Sequence, residues 1–201
     1  MNRKIQNIKS IDKNNFFKDL KEFPQQINYI LKSRNIFKNF LKNESYTNIL
    51  ICGMGGSAIS GDLIKSLFQD SIYIPMYVNR DYFIPNWVTK NTLTILSSYS
   101  GNTEEILSCY NKCIEISVKP IIISSNGKLL KNAKENNFPF VEVPSGLMPR
   151  AALGYSISIL TKILNKLSIL SDDSINDLKN AIKYLNEDSL KYSNLELKKN
   201  K

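Results

Sequence analysis

From residue 48 onward the chain alternates short, almost unbroken apolar runs with longer stretches whose apolar residues recur every three or four positions. The runs fall at 49–52, 74–78, 93–96, 121–124 and 140–143, and helix-length segments lie between most of them, at 58–68, 103–116 and 129–136. Continuous short strands alternating with helices predict a parallel sheet covered on both faces, a three-layer α/β/α arrangement. Residues 1–22 are polar and lysine-rich with helical potential at 16–20. Pro24 then opens "PQQINYILKSRNIF", in which Ile27, Ile30 and Leu31 share one helical face. After Pro149 a helical segment continues to about 170. The last stretch opens with a Ser171 or Asp172 cap and carries Ile175, Leu178, Ile182 and Leu185 at helical intervals. The predicted organisation is a polar helical extension (1–22), an α/β domain (23–170) and a C-terminal helix (171–201) whose apolar stripe leads toward a further domain.

Composition changes this picture little. A chain of 201 residues, 42% hydrophobic and 22% charged, can bury one sizeable core. The net charge of +9 comes from scattered lysines, while arginine occurs only at positions 3, 34, 80 and 150. With no zinc-finger spacing or helix-turn-helix pattern, this reads as compositional bias rather than a nucleic-acid surface. Cys52, Cys109 and Cys113 form no disulfide framework and point to a reducing cytoplasm. Cys109 and Cys113 are one helical turn apart, but the chain has no histidine, so both read as packing residues and no metal site is predicted. The apolar stretch "ALGYSISILTKILNKLSIL" is interrupted by Lys162, Asn165 and Lys166 and reads as a core helix, not a membrane span.

Three stretches carry chemistry. "GMGGSAISGD", residues 53–62, follows a predicted strand and opens a helix, where unpaired N–H groups favour an anion. Gly55 and Gly56 let the backbone approach a ligand, and Ser57 adds a hydroxyl. The same stretch fits G-x-G-x-x-A, a dinucleotide fingerprint that wants an acid after the next strand, where only Asp81 is near. "SSYSGNTEE", residues 97–105, gathers the hydroxyls of Ser98, Ser100 and Thr103 at another strand–helix junction, a set of neutral donors suited to a phosphate dianion. Capping by Ser100 or Asn102 accounts for Glu104 and Glu105 near the helix dipole, but not for three clustered hydroxyls. "VPSGLMPRAALGYS", residues 143–156, places Pro149 at a helix start and Arg150 at the same end of the sheet. Its guanidinium can steady sugar oxygens or a developing enediolate.

In this order the motifs resemble the sugar isomerase (SIS) domain, and in particular the N-terminal domain of the bifunctional phosphoglucose/phosphomannose isomerases. The resemblance runs from about Pro24 into the helix beyond Asp172. It implies a flavodoxin-like five-stranded parallel sheet, with Ser98, Ser100 and Thr103 on the sugar 6-phosphate. It also implies Gly55, Gly56 and Ser57 along the sugar, and Arg150 beside C1 and C2. The implied reaction is aldose–ketose isomerisation of glucose or mannose 6-phosphate to fructose 6-phosphate through an enediolate, without metal or cofactor, in a cytoplasmic homodimer. Members of the family carry a base glutamate and a ring-opening histidine downstream of the matched region. Glu104 and Glu105 match structural positions, so the base is expected outside this chain, which is read as a truncated enzyme inactive alone. The alternatives are a non-catalytic phosphosugar-binding module and a nicotinamide-dependent oxidoreductase domain.

Overall fold

The computed structural model describes residues 10–40 and 45–193; the first nine residues of the polar extension and the charged tail after residue 193 lie outside the described residues. After helical residues 10 and 11 come α1 (Phe16–Lys21) and α2 (Phe23–Lys32), with Pro24 in the first turn of α2. Then follow β1 (Phe37–Lys38), β2 (Asn48–Gly53), α3 (Gly55–Leu67), β3 (Met76–Asn79), β4 (Thr92–Ser97) and α4 (Glu104–Glu115). The order continues with β5 (Ile121–Ser124), α5 (Gly127–Glu135), β6 (Phe140–Glu142), a 3-10 turn (Pro149–Ala152), α6 (Leu153–Lys166) and α7 (Asp172–Tyr192).

The sheet order is β1-β6-β5-β4-β2-β3. Five strands are parallel, in the order expected of a flavodoxin-like sheet. The expected five strands become six because β1 adds an antiparallel edge, Phe37 opposite Val141 and Lys38 opposite Phe140. Alternation on β2 shows why both faces are covered. Ile49 and Ile51 face a core shared with Ile27 and Ile30 of α2, Ile64 of α3 and Leu160 of α6. Leu50 and Cys52 face Ile106, Cys109 and Cys113 of α4 and Leu129 of α5. Both cysteines of α4 are fully buried in this layer and act as packing residues.

Several boundaries differ from the sequence reading, most by one or two residues. Helix α3 begins at Gly55 rather than residue 58, because the Ser57 N–H bonds the Met54 carbonyl and closes the first turn. The segment after Pro149 starts as a 3-10 turn and its helix stops at Lys166 rather than near 170. There Ser168 turns left-handed (φ 59°), and Ile169 and Leu170 return their N–H groups to the Leu164 carbonyl. Ser171 is the N-cap of α7, and Leu178, Ile182 and Leu185 pack against the core through α7's apolar stripe. Among the described residues no helix is long and apolar enough to cross a membrane.

Candidate functional site

Gly53 and Ser97 are register partners at the carboxyl ends of the neighbouring strands β2 and β4. Beyond them the chain diverges. The β2 crossover passes through α3 to β3 on one side, and the β4 crossover passes through α4 to β5 on the opposite face and the other side. In an open parallel sheet that divergence leaves a crevice at the strand ends, the usual seat of a ligand. The glycine loop and the hydroxyl loop are its two lips.

On the first lip, Gly55 is exposed and left-handed (φ +49°), and Gly56 sits where a side chain would be crowded. A Cβ on Gly56 would lie 3.2 Å from the Pro149 carbonyl and 3.4 Å from the Cα of Arg150. Absence of a side chain here lets the 143–150 segment lie directly on the glycine loop. Ser57 is 92% buried (8% exposed), and its hydroxyl makes no hydrogen bond among the described residues. No side chain caps the start of α3, so the N–H groups of Gly55 and Gly56 remain available, while that of Ser57 is taken by the Met54 carbonyl.

The second lip is more tightly built. Ser98 is buried, with its Oγ 2.7 Å from Thr103 Oγ1 and accepting the Gly101 N–H at 3.1 Å. Ser100 is exposed and its Oγ accepts the Asn102 N–H at 3.3 Å. Neither Ser100 nor Asn102 caps α4. Thr103 occupies the N-cap position without a side-chain bond to the helix, and Glu104 and Glu105 fill the first turn, favourable beside the dipole. The Asn102 Oδ1 instead accepts the Lys128 N–H at 3.0 Å.

That last bond belongs to a brace which the sequence reading missed. The hydroxyl loop is locked to the turn after β5: Leu129 donates to the Gly101 carbonyl at 2.9 Å, and the Ser125 hydroxyl to the Tyr99 carbonyl at 2.6 Å. Gly101 (φ +67°) and Gly127 (φ +77°) meet back to back, and a Cβ on Gly101 would collide with the Asn126 carbonyl. The Asn-Gly pair following a strand was the available signal. Tyr99 provides a second brace. Its hydroxyl donates to the Pro144 carbonyl at 2.9 Å and accepts the Leu147 N–H at 3.0 Å, tying the hydroxyl loop to the segment that bears Arg150. Burial pushes the Tyr99 phenol above its ordinary pKa, so it stays protonated and able to donate at neutral pH.

Arg150 itself is exposed. Its guanidinium lies over the Phe16 ring of α1, 5.0 Å from the centroid, and its Nη2 makes a weak contact with the Met148 sulfur at 3.9 Å. Gln26 anchors the turn from below, donating to the Ala151 carbonyl at 2.7 Å. The seven residues singled out by the sequence follow the carboxyl ends of β2, β4 and β6: Gly55, Gly56 and Ser57 in the first turn of α3, Ser98, Ser100 and Thr103 in the segment leading into α4, and Arg150 in the 3-10 turn. Asp81, the acid that a dinucleotide reading requires, accepts the N–H of Tyr82 at 2.6 Å. Among the described residues no three His, Cys, Asp or Glu side chains gather as a metal site.

The layering and strand order together define an α/β/α domain with the SIS fold. The architecture is shared with a protein from Clostridium difficile 630 named, provisionally, a phosphosugar isomerase. The TM-score is 0.70 at 15% identity, over 88% of this chain and 54% of that one, a likeness of fold alone. No family model matches the chain. In sequence it is 41% identical over 176 residues to the bifunctional phosphoglucose/phosphomannose isomerase of Caldicellulosiruptor bescii, covering 85% of this chain and 51% of the relative. It is 42% identical over 153 residues to the enzyme of the same name from Aquifex aeolicus, covering 76% and 46%. The chain is a homologue of the bifunctional phosphoglucose/phosphomannose isomerases and spans about half the length of the curated relatives it matches.

Proposed function

We propose that these residues form the phosphosugar-binding domain of an aldose–ketose isomerase acting on glucose or mannose 6-phosphate and fructose 6-phosphate. The observation that carries this reading is the register of Gly53 against Ser97, which sets a glycine loop and a hydroxyl loop face to face at the point where the sheet's connections diverge. The 6-phosphate sits on the hydroxyl loop. Ser100 and Thr103 donate to its oxygens, the N–H groups at the start of α4 add two or three neutral donors, and Ser98 exchanges its bond with Thr103 for a phosphate oxygen. The sugar then extends over Gly55 and Gly56 past Ser57, whose hydroxyl has no partner to give up.

At the far end Arg150 faces the C1–C2 region. Isomerisation moves one proton: a carboxylate base takes it from C2 of the open aldose, negative charge collects on the enediolate oxygens, and the proton returns at C1. A fixed guanidinium stabilises that charge where it develops. Glucose and mannose 6-phosphates differ only at C2 and give the same enediolate, so one site serves both. The base and the ring-opening group are not among the residues gathered here, and the chain has no histidine. We therefore expect these 201 residues to bind the substrate without isomerising it. A cytoplasmic homodimer completes the proposal, by extension from the resemblance.

Calorimetry decides the binding reading. Fructose 6-phosphate should bind more tightly than fructose or inorganic phosphate, and Thr103→Ala should weaken it about tenfold or more, the worth of a hydrogen bond to a charged group. Unchanged affinity in a folded Thr103→Ala variant sinks the reading. The absence of histidine favours a second reading, a phosphosugar sensor with no catalytic role. Production of glucose 6-phosphate from fructose 6-phosphate in a coupled assay would exclude it.

A further inference from the structure

Arg150 is held at both ends by different parts of the chain. Its backbone lies close against Gly56, where a Cβ would be crowded, and its guanidinium lies over Phe16, about 130 positions earlier in sequence. Among the described residues it has no carboxylate partner. A cation–π contact with the ring consumes none of the guanidinium's hydrogen-bonding capacity and leaves its N–H groups for something else. The weak Met148 contact consumes little of that capacity.

Helix α1 is oddly placed if its role is packing, because none of its six residues is buried. It is nonetheless built with care. The Asp12 carboxylate accepts the N–H groups of Phe16 and Phe17 at 2.8 and 2.9 Å, satisfying two of the donors at the start of the helix. Ser189 of α7 donates to the Lys21 carbonyl at 3.2 Å and pins the other end. Asp19 lies near enough to Tyr99 to add, after burial, to the rise in that phenol's pKa. Helix α1 therefore bridges the C-terminal helix to the site's rim, and its inward contact is Phe16 against Arg150.

We infer that Phe16 is a positioning residue for Arg150: the ring fixes the guanidinium plane so that its N–H edge meets the sugar oxygens beyond the bound phosphate. This inference rests on the reading of Arg150 as a sugar contact. It makes the polar N-terminal extension part of the binding site rather than an appendage. A free arginine side chain must be immobilised when ligand arrives, whereas a stacked one has already lost that freedom.

The test titrates the 201-residue chain with fructose 6-phosphate and, separately, with inorganic phosphate. Phe16→Ala should weaken fructose 6-phosphate about three- to fivefold, the scale of an exposed cation–π contact, while phosphate, held by the hydroxyl loop, is unaffected. Phe16→Tyr should retain wild-type affinity, and Phe16→Leu, which keeps bulk without a π face, should not. In an Arg150→Ala background the Phe16→Ala change should have no further effect. The inference is overturned if Phe16→Ala binds like wild type, if Phe16→Leu restores full affinity, or if the two substitutions add. Loss of phosphate affinity in Phe16→Ala would also overturn it, since that marks damage to the whole site. An Arg150→Ala variant with wild-type affinity for fructose 6-phosphate would instead bring down the assignment of Arg150, and this inference with it.

Discussion

Ser98 and Thr103 share a 2.7 Å contact between their hydroxyl oxygens, although only Thr103 is partly open to solvent. Five residues apart, they close the hydroxyl loop on itself, and the Gly101 N–H completes the ring by donating to Ser98 Oγ. The same oxygen that is offered to a phosphate therefore also shapes the loop. Ser98 and Ser100 should separate on this point. Ser98→Ala removes a buried acceptor and should lower both stability, by about 1–2 kcal/mol, and fructose 6-phosphate affinity. Exposed Ser100→Ala should lower affinity and leave the thermal midpoint within about a degree, because surface changes are nearly neutral to stability. Paired melts and titrations check it; equal melting losses in the two variants would contradict the assignment.

Two glycines with left-handed backbones offer a second comparison. Gly55 (φ +49°) looks onto open space, so alanine there carries only the left-handed penalty, about 1–2 kcal/mol. Gly101 (φ +67°) meets the Asn126 carbonyl and the Ser124 hydroxyl, so alanine must also force apart two interlocked loops. Gly101→Ala should cost clearly more than Gly55→Ala in urea denaturation and should abolish phosphate binding, since the loop that carries the hydroxyls is displaced.

How far the sequence disclosed this arrangement depended on how local the cause was. The parallel strands were legible because most are buried on both faces and hold a short apolar run, although edge strand β3 leaves Tyr77 exposed and β4 carries Thr92, Thr94 and Ser97. Strand β1 was not, because two residues become a strand only through pairing with β6. The start of α3 was obscured by Gly55 and Gly56, poor helix formers that nevertheless occupy the first turn. At the site, the hydroxyl cluster and glycines stood out because the residue types themselves are the chemistry. The brace formed by Asn126 and Gly127 and the stacking of Phe16 on Arg150 join residues 25 to 134 positions apart, and no spacing rule reaches that far.

Tyr99 tests whether the hydroxyl loop is coupled to the segment that bears Arg150. Tyr99→Phe keeps the ring but deprives the Pro144 carbonyl and the Leu147 N–H of their shared partner. Stability should fall by about 1 kcal/mol, the net worth of such bonds. Amide exchange at Leu147 should accelerate sharply while exchange in β4 stays slow, since only the connecting segment is released. If Leu147 remains as protected as in the wild type, the hydroxyl is not what secures the 143–150 segment.

Alkaline pH probes the core beneath the site. Cys113 is on the inward face of α4 with no exposed surface, and burial pushes its thiol from an ordinary value near 9 up to about 12. Burial disfavours the thiolate in the folded chain, whereas the unfolded chain ionises freely. Between those two values the unfolded state has therefore lost a proton that the folded state keeps, and stability must fall as pH rises. The contribution is intact below about pH 8.5, the usual value for an unfolded thiol, and is progressively lost toward pH 12. Cys113→Ala removes this group from both states. It should start less stable because of the cavity it leaves, by about 1–2 kcal/mol. Its denaturation midpoint should nevertheless decline less steeply than the wild type's between pH 8.5 and 10.5. Parallel slopes for the two proteins would mean that Cys113 ionises as easily folded as unfolded, and that the core around α4 is wetter than its packing implies.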